Sequence, residues 1–312
     1  MAEGIRTKFE EQLPKLQKWT FERVFNYVAG ICSIFGLIGA PFIIDDKSIF
    51  AKFYIWTMTT LIASLLIFSW SRERRKLHRY AQAVYFVHFV NHAVRDLVEE
   101  FQLKKFDNLE TGLTQILDSI STCFSILSGR RCRASIIGLV PNNNDYTLNV
   151  KSRDKISNAS SKRKPSSQHF LSENTDFEDL FYAKNGRHRY FLCNNLIKAW
   201  RRDEYKNSSF KDVGTPKRRD FLFIDFIVDW PLPYKSALVL PVRHITRLEP
   251  PTPNAAPGAH WRYWGFLCID CNSRNTFDPY LSPELGGAFA DSLYTLLSAC
   301  EFAMDRFTEP NE

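Results

Sequence analysis

The chain opens with two long apolar blocks and then changes character. Val24 to Ile44 carries no charged side chain, and Phe50 to Trp70 carries only Lys52, at its end. At about 1.5 Å per residue each block reaches roughly 31 Å as a helix, which matches the hydrocarbon thickness of a bilayer. Lys52 can snorkel to the headgroups. Only 45–49 separates the blocks, so the pattern predicts an antiparallel transmembrane hairpin over 24–70 (24–44 and 50–70). Arg6, Lys8, Lys15, Lys18 and Arg23 precede it, and Arg72, Arg74, Arg75, Lys76 and Arg79 follow it. Positive charge resists crossing the membrane, so the expectation is a multi-pass protein of the inner (plasma) membrane with both termini cytoplasmic. Residues 1–23 then form a cytoplasmic N-terminal segment. Ala29, Cys32, Ser33, Gly36 and Ala40 give the first span small-residue spacings that let helices approach closely, within one hairpin or between chains.

Beyond the hairpin the apolar period becomes that of surface helices and strands. Residues 71–104 predict a connecting helix. Leu77, Tyr80, Val84, Val87, Asn91, Val94, Val98 and Phe101 alternate spacings of three and four, with Asn91 at a core position. Such a seam either pairs two copies in a parallel dimer or packs the helix on its own domain. His88, His92 and Asp96 line up on one face, read as a solvated face rather than a metal site. The remaining 105–312 predict one soluble domain. An amphipathic helix spans Asn108 to Leu127, with Leu109, Leu113, Ile116, Leu117, Ile120 and Phe124 on one side and Gly129 at its end. Strands are expected over Cys132–Val140, Tyr146–Lys151, Ser236–Ile245 and Trp261–Asp270. Ser152–Ser172 reads as a polar loop and Thr246–His260 as a Pro-rich one. A final helix covers Ser282–Phe307, with Ser282 as its N-cap.

The order helix, hairpin, variable helical insert, two strong antiparallel strands, long final helix resembles the GAF domain. The stretches that carry the resemblance are CRASIIGLV, SALVLPVRHI and WGFLCIDCNSRNTFDPYLSPELGGAFADSLYTLLSAC, within about 105–306. The resemblance implies an α+β fold: an antiparallel sheet flanked by helices, with the first and last helices on one face and the insert, often enclosing a small-molecule pocket, on the other. A family subgroup that binds cyclic nucleotides carries an Asn-Lys-x-Phe-Asp-Glu type signature. Here Asn275-Thr276-Phe277-Asp278 departs from it, which leaves cyclic GMP in particular unsupported.

The net charge of +7 and pI near 9.0 point to an anionic partner. In the insert, basic and aromatic residues interleave: Arg187, Arg189 and Tyr190, then Trp200, Arg201 and Arg202, with Arg243 on a strand. Guanidinium groups beside aromatic rings suit an anionic ligand bearing a base, such as a nucleotide or cyclic nucleotide, or a face lying over anionic lipid. No P-loop, G-x-S-x-G or H-E-x-x-H pattern occurs, so the expectation is a non-enzymatic chain without cofactor or metal. The seven cysteines follow no framework spacing and read as reduced, largely core residues. Two N-x-S sequons, at Asn158 and Asn207, bear on glycosylation only in a secreted domain. The layout resembles bacterial defence effectors that join a two-span membrane module to a nucleotide-sensing domain. It therefore implies a membrane-anchored sensor or effector, a dimer or higher homo-oligomer, whose partners are lipid and a small ligand rather than nucleic acid. A tethered scaffold that recruits a protein without ligand is the alternative.

Overall fold

The computed structural model describes residues 30, 33, 49–103, 109–142, 145–159, 168–182, 189–221, 224–243 and 263–308. The chain divides into two compact units, Met1–His78 and Arg79–Glu312. In the first, the span expected at 24–44 lies outside the described residues, apart from Gly30 and Ser33, which are helical and exposed. The block at 50–70 begins helix α1 (Ile49–Gln102). Among the described residues this is one helix long and apolar enough to cross a membrane, and none of its apolar window is buried. Phe53, Trp56, Ile67, Phe68 and Trp70 all point outward. Thr57, Thr59 and Thr60 return their hydroxyls to the carbonyls of Phe53, Ile55 and Trp56 at 2.8–2.9 Å. Those bonds satisfy each hydroxyl within the helix. The Arg74 guanidinium sits 5.2 Å from the Trp70 ring centre, at the end of the apolar stretch.

The second unit is built on a five-stranded antiparallel sheet. Its strands are β1 (Cys132–Asn142), β2 (Asp145–Arg153), β3 (Phe191–Cys193), β6 (Ser236–Arg243) and β7 (Tyr263–Cys271), in the order β2-β1-β7-β6-β3. A separate hairpin, β4 (Lys217–Phe221) with β5 (Ile224–Asp229), lies between β3 and β6 in sequence. The sequence pattern shows Phe221–Val228 only as a short apolar run. The backbone splits it, placing most of the run on β5.

Side chains alternate across the sheet, and both faces are covered. On one face Ala134, Ile136, Leu238, Leu240, Val242, Leu267, Ile269 and Cys271 meet α2 (Leu109–Ser128), α7 (Leu281–Thr308) and the C-terminal part of α1. Every position of β6 is buried, because both sides of that strand have a layer above them. The connecting helix contributes Ala83, Val90, Val94, Leu97 and Phe101 to this core, with Val87 and Val98 packed against it, so the later part of the seven-residue seam lies against the helix's own domain. Asn91 accepts a hydrogen bond from Ser292 Oγ of α7 at 2.7 Å, so its amide is used within the chain. Val84 and Tyr85 remain exposed. Gly129 takes φ 66° just beyond α2, the left-handed turn that ends a helix. At α7 the expected cap moves. Asp278 accepts the amides of Tyr280 and Leu281 at 2.9 Å, while Ser282 is buried inside the helix.

The other face carries a smaller core. Leu148, Ala237, Val239, Phe266 and Cys268 of the sheet meet Leu171, Phe177, Leu180, Phe181, Leu196 and Tyr205 of the insert. The insert's short helices are α3 (Lys155–Asn158), α4 (Thr175–Phe181), α5 (Leu196–Arg201) and α6 (Phe210–Val213). Cys268 and Cys271 face opposite cores, as a strand requires of residues three apart. This three-layered arrangement of helical face, sheet and insert is the α+β layout that the GAF resemblance implies.

Candidate functional site

Between the sheet and the insert lies a cavity of about 370 Å³, within the range of small-molecule sites. The strands give it an apolar wall through Ile137, Leu148, Val150, Ala237 and Val239. The insert supplies Phe177, Leu232 and Tyr234 together with most of the polar groups.

Those polar groups are placed by three local devices. Residues 168–170 run along β2: the Leu148 amide donates to His169 O at 2.9 Å, and Thr147 bridges Phe170. This holds the His169 ring where Nε2 meets Asp212 Oδ2 at 3.1 Å, with both side chains nearly buried. Next, Asn174 ties the start of α4 to 207–209. Its Oδ1 accepts from Ser208 N and Ser208 Oγ at 3.0 and 3.1 Å, and its Nδ2 donates to Phe170 O. Finally, Asn207 Nδ2 donates to Tyr205 Oη and Tyr234 Oη, at 2.6 and 3.1 Å.

Asp176 sits among these, fixed in the first turn of α4 and only 4 % exposed. Tyr205 Oη donates to its Oδ2 over a long 3.4 Å. Burial pushes its carboxyl up to about 7, although the amides of Asp176 and Phe177 and the Tyr205 hydroxyl favour the charged form; nearby Asp179 adds to the rise. The Tyr205 hydroxyl and the Cys268 thiol are pushed up in turn, mainly by burial. Two atoms in the lining residues have no hydrogen-bond partner among the described residues: Asp176 Oδ1 and His169 Nδ1. Buried polar groups left unpaired are uncommon and costly, and beside a cavity they are open to a partner that enters it.

The residues picked out by sequence are dispersed. Arg187 lies outside the described residues. Arg189 is exposed and pairs with Glu284 of α7 at 3.5 Å. Tyr190 packs against the core on the helix side of the sheet. Trp200 lies on the insert side, edge-on to Phe210 and Trp230. Arg201 is half-buried at the end of α5, and Arg202 is exposed 4.0 Å from Glu204. Arg243 is buried after a bulge in β6, and its charge opposes the burial-driven rise of the Asp291 carboxyl. None of the six described residues lines the cavity. Asn194 and Asn195 serve structure: the first clamps Phe277 through its amide and carbonyl, the second caps α5. His88 and His92 meet edge to face with ring centres 4.2 Å apart, and the described residues contain no cluster of three metal-ligating side chains.

Sequence reasoning missed Asp176, His169, Asn174 and Asn207. An acid at a helix start reads as a match to the helix dipole, and His169 falls in a polar stretch. Asn207 reads as a sequon. The small polar residues at 174 and 207–209, set beside apolar ones, are the one signal that could have drawn attention to them.

No family model matches the sequence, and no curated protein matches it. Among solved structures, the chain is similar to the GAF domain of a phosphoenolpyruvate-protein phosphotransferase from Acinetobacter. Identity is 13 % and the TM-score 0.36, covering 71 % of this chain and 96 % of that one. The GAF domain of a phosphoenolpyruvate-protein phosphotransferase from Coxiella burnetii is similar at 12 % identity and TM-score 0.34, covering 70 % and 99 %. The chromophore-binding domain of an unusual bacteriophytochrome from R. palustris is similar at 13 % and 0.34, covering 68 % and 62 %. Similarities this distant carry no argument about function. What the fold shares with the expected GAF layout is its layering: the first and last helices of the domain on one face of the sheet and the insert on the other.

Proposed function

We propose that the chain is a non-enzymatic, membrane-tethered sensor whose GAF-like domain binds a small molecule in the cavity between sheet and insert. The observation that carries this reading is the pair of unpartnered polar atoms, Asp176 Oδ1 and His169 Nδ1, in residues lining a volume of ligand size. The tether is a two-span hairpin at 24–44 and 50–70 in the plasma membrane, with both termini cytoplasmic. Support comes from the wholly exposed apolar window of α1 and from the flanking Lys and Arg. Ligand binding favours one arrangement of the domain, and the change passes to the membrane segments of an oligomer. It can do so only to the extent that the ligand binds the two arrangements unequally. An effector that damages the membrane when triggered is the sharper form of this reading. The anionic or nucleotide ligand expected from Arg189, Trp200, Arg201 and Arg202 would need a second site outside the cavity.

Full-length protein in detergent, screened by thermal shift against nucleosides, nucleotides, amines and organic acids, tests the proposal. Binding should raise the melting temperature, and Ala237→Phe, which fills the cavity from β6, should abolish the shift while the protein stays folded. A shift unaffected by that variant would place the ligand elsewhere. Tyr80, Val84 and Tyr85, exposed on α1, favour a second reading: a tethered scaffold that pairs with another copy and takes no ligand. Concentration-dependent self-association with no hit in the screen is its signature.

A further inference from the structure

The cavity's polar chemistry narrows its ligand. We infer that the cavity receives the N–H edge of a compact nitrogenous compound, an N–C–N donor pair of the kind shared by guanidinium, amidinium and guanine, with the buried Asp176 as the principal acceptor. The inference rests on the cavity being the sensor's ligand site, as proposed above.

Three observations carry it. First, the unpartnered Asp176 Oδ1 is an acceptor whenever its carboxyl is ionised, so a ligand that satisfies it brings a hydrogen rather than an oxygen. In the tautomer that donates from Nε2 to the Asp212 carboxylate, His169 offers Nδ1 as a second acceptor. Second, the charged residues of the lining are Asp176, Asp212 and Asp270 against Arg153 and an imidazole already engaged by Asp212. A phosphate entering that surface meets like charge, whereas a cation or a neutral donor edge meets complementary potential. Third, Phe177 and Tyr234 from the insert and Ile137 and Val239 from the sheet line the same cavity, so a flat or compact body finds apolar contact around its polar edge.

Asp176 is held partly protonated near neutral pH by its burial, so capture of the ligand depends on pH. The groups that act on it are Tyr205 and Asp179, with Cys268 across the core. Arg153, His169, Asp212 and Asp270 share the lining with it. A ligand N–H edge favours the ionised carboxylate, so affinity rises as the pH moves from below to above the Asp176 value of about 7. Between pH 6 and pH 8 the ionised fraction rises roughly tenfold.

Isothermal titration of the full chain in detergent micelles with benzamidine, agmatine and guanosine tests the inference. At least one should bind, roughly tenfold more tightly at pH 8 than at pH 6. Asp176→Asn should weaken binding about 10- to 100-fold at pH 8 and flatten the pH dependence, since it removes a charge-assisted hydrogen bond. Asp176→Glu, which keeps the charge, should keep a pH-dependent affinity. Binding by guanosine alone identifies the source as a nucleobase, and binding by the other two alone as a guanidino or amidino cation; either supports the inference. Failure of all three to bind folded protein overturns it, as does equal affinity for Asp176→Asn. An organic acid or phosphate ester without an N–C–N donor edge that binds the parent but not Ala237→Phe would leave the cavity as the sensor site while overturning its donor-edge chemistry. No ligand of any class displaced by Ala237→Phe would remove the sensor reading itself.

Discussion

Replacing Asp176 with Asn should make the protein more stable at pH 8, and least different from the parent near pH 4. The carboxyl is fully buried, and its pKa rises from an ordinary 3.8 to about 7, chiefly through burial. A raised acid pKa means the native state holds its proton more tightly than the unfolded chain. Below about pH 4 both states are protonated and nothing is lost. Between about 4 and 7 only the unfolded chain releases the proton, so stability falls as pH rises; above about 7 the full penalty is present. A rise of about 3 units corresponds to a penalty on the order of 4 kcal/mol. Asn removes the ionisation, keeps an oxygen for the Tyr205 hydroxyl and occupies nearly the same volume. For a unit of this size about 1 kcal/mol moves the melting temperature by roughly 2–4 °C, so the variant should gain on the order of 10 °C at pH 8. Thermal unfolding of the ligand-free full chain in detergent, followed by tryptophan fluorescence at pH 4 to 8, reads the difference. Parent and variant melting curves that shift in parallel across that range would refute the reasoning, as would a variant that gains stability only below pH 5.

Other substitutions probe how the site is held. Asp154 is buried and accepts from Ala134 N, Ser157 N and Ser157 Oγ at 2.6–2.9 Å, so Asp154→Ala should cost about 2–4 kcal/mol in denaturant titration by leaving two amides unpaired. Gly265 lets β7 approach β1 closely: a Cβ there would stand 2.1 Å from Ile137 O, so Gly265→Ala should destabilise by about 3 kcal/mol or more, measured by the midpoint of unfolding. Trp200→Ala removes the centre of the Trp200–Phe210–Trp230 cluster and should cost about 3 kcal/mol while leaving affinity for a cavity ligand within a fewfold. A large affinity loss on a stably folded Trp200→Ala would move the site toward the arginine-rich segment.

Much of the domain's architecture is written in its apolar period. Leu113, Ile116, Leu117, Ile120 and Phe124 fall on one side of a helix in the sequence and are buried there in the fold. The β1–β2 hairpin and the β6–β7 pair follow from short apolar runs bounded by polar segments, although Pro141, Asn142 and Asp145, expected in the turn, belong to the paired strands. The seam on α1 was harder to read, because apolar residues surround that helix. Tertiary packing chose the face of Val90, Val94 and Leu97, and Asn91 met Ser292. The candidate site was least legible. Arginine and tryptophan stand out in a sequence because of charge and size, yet Arg189 and Arg202 end in exposed ion pairs and Trp200 in a packed aromatic cluster. The cavity's polar residues are ordinary Asp, Asn, Ser and His. Their significance comes from burial and missing partners, which arise only once the insert folds over the sheet.

The central claim is that ligand enters between the sheet and the insert. Hydrogen–deuterium exchange of the full chain, with and without a saturating concentration of a compound that shifts its melting temperature, locates the contact directly. Slowed exchange at 174–177, 207–213 and 232–239 is the expected result. Slowing confined to 189–202, with no change at those three segments, would contradict it.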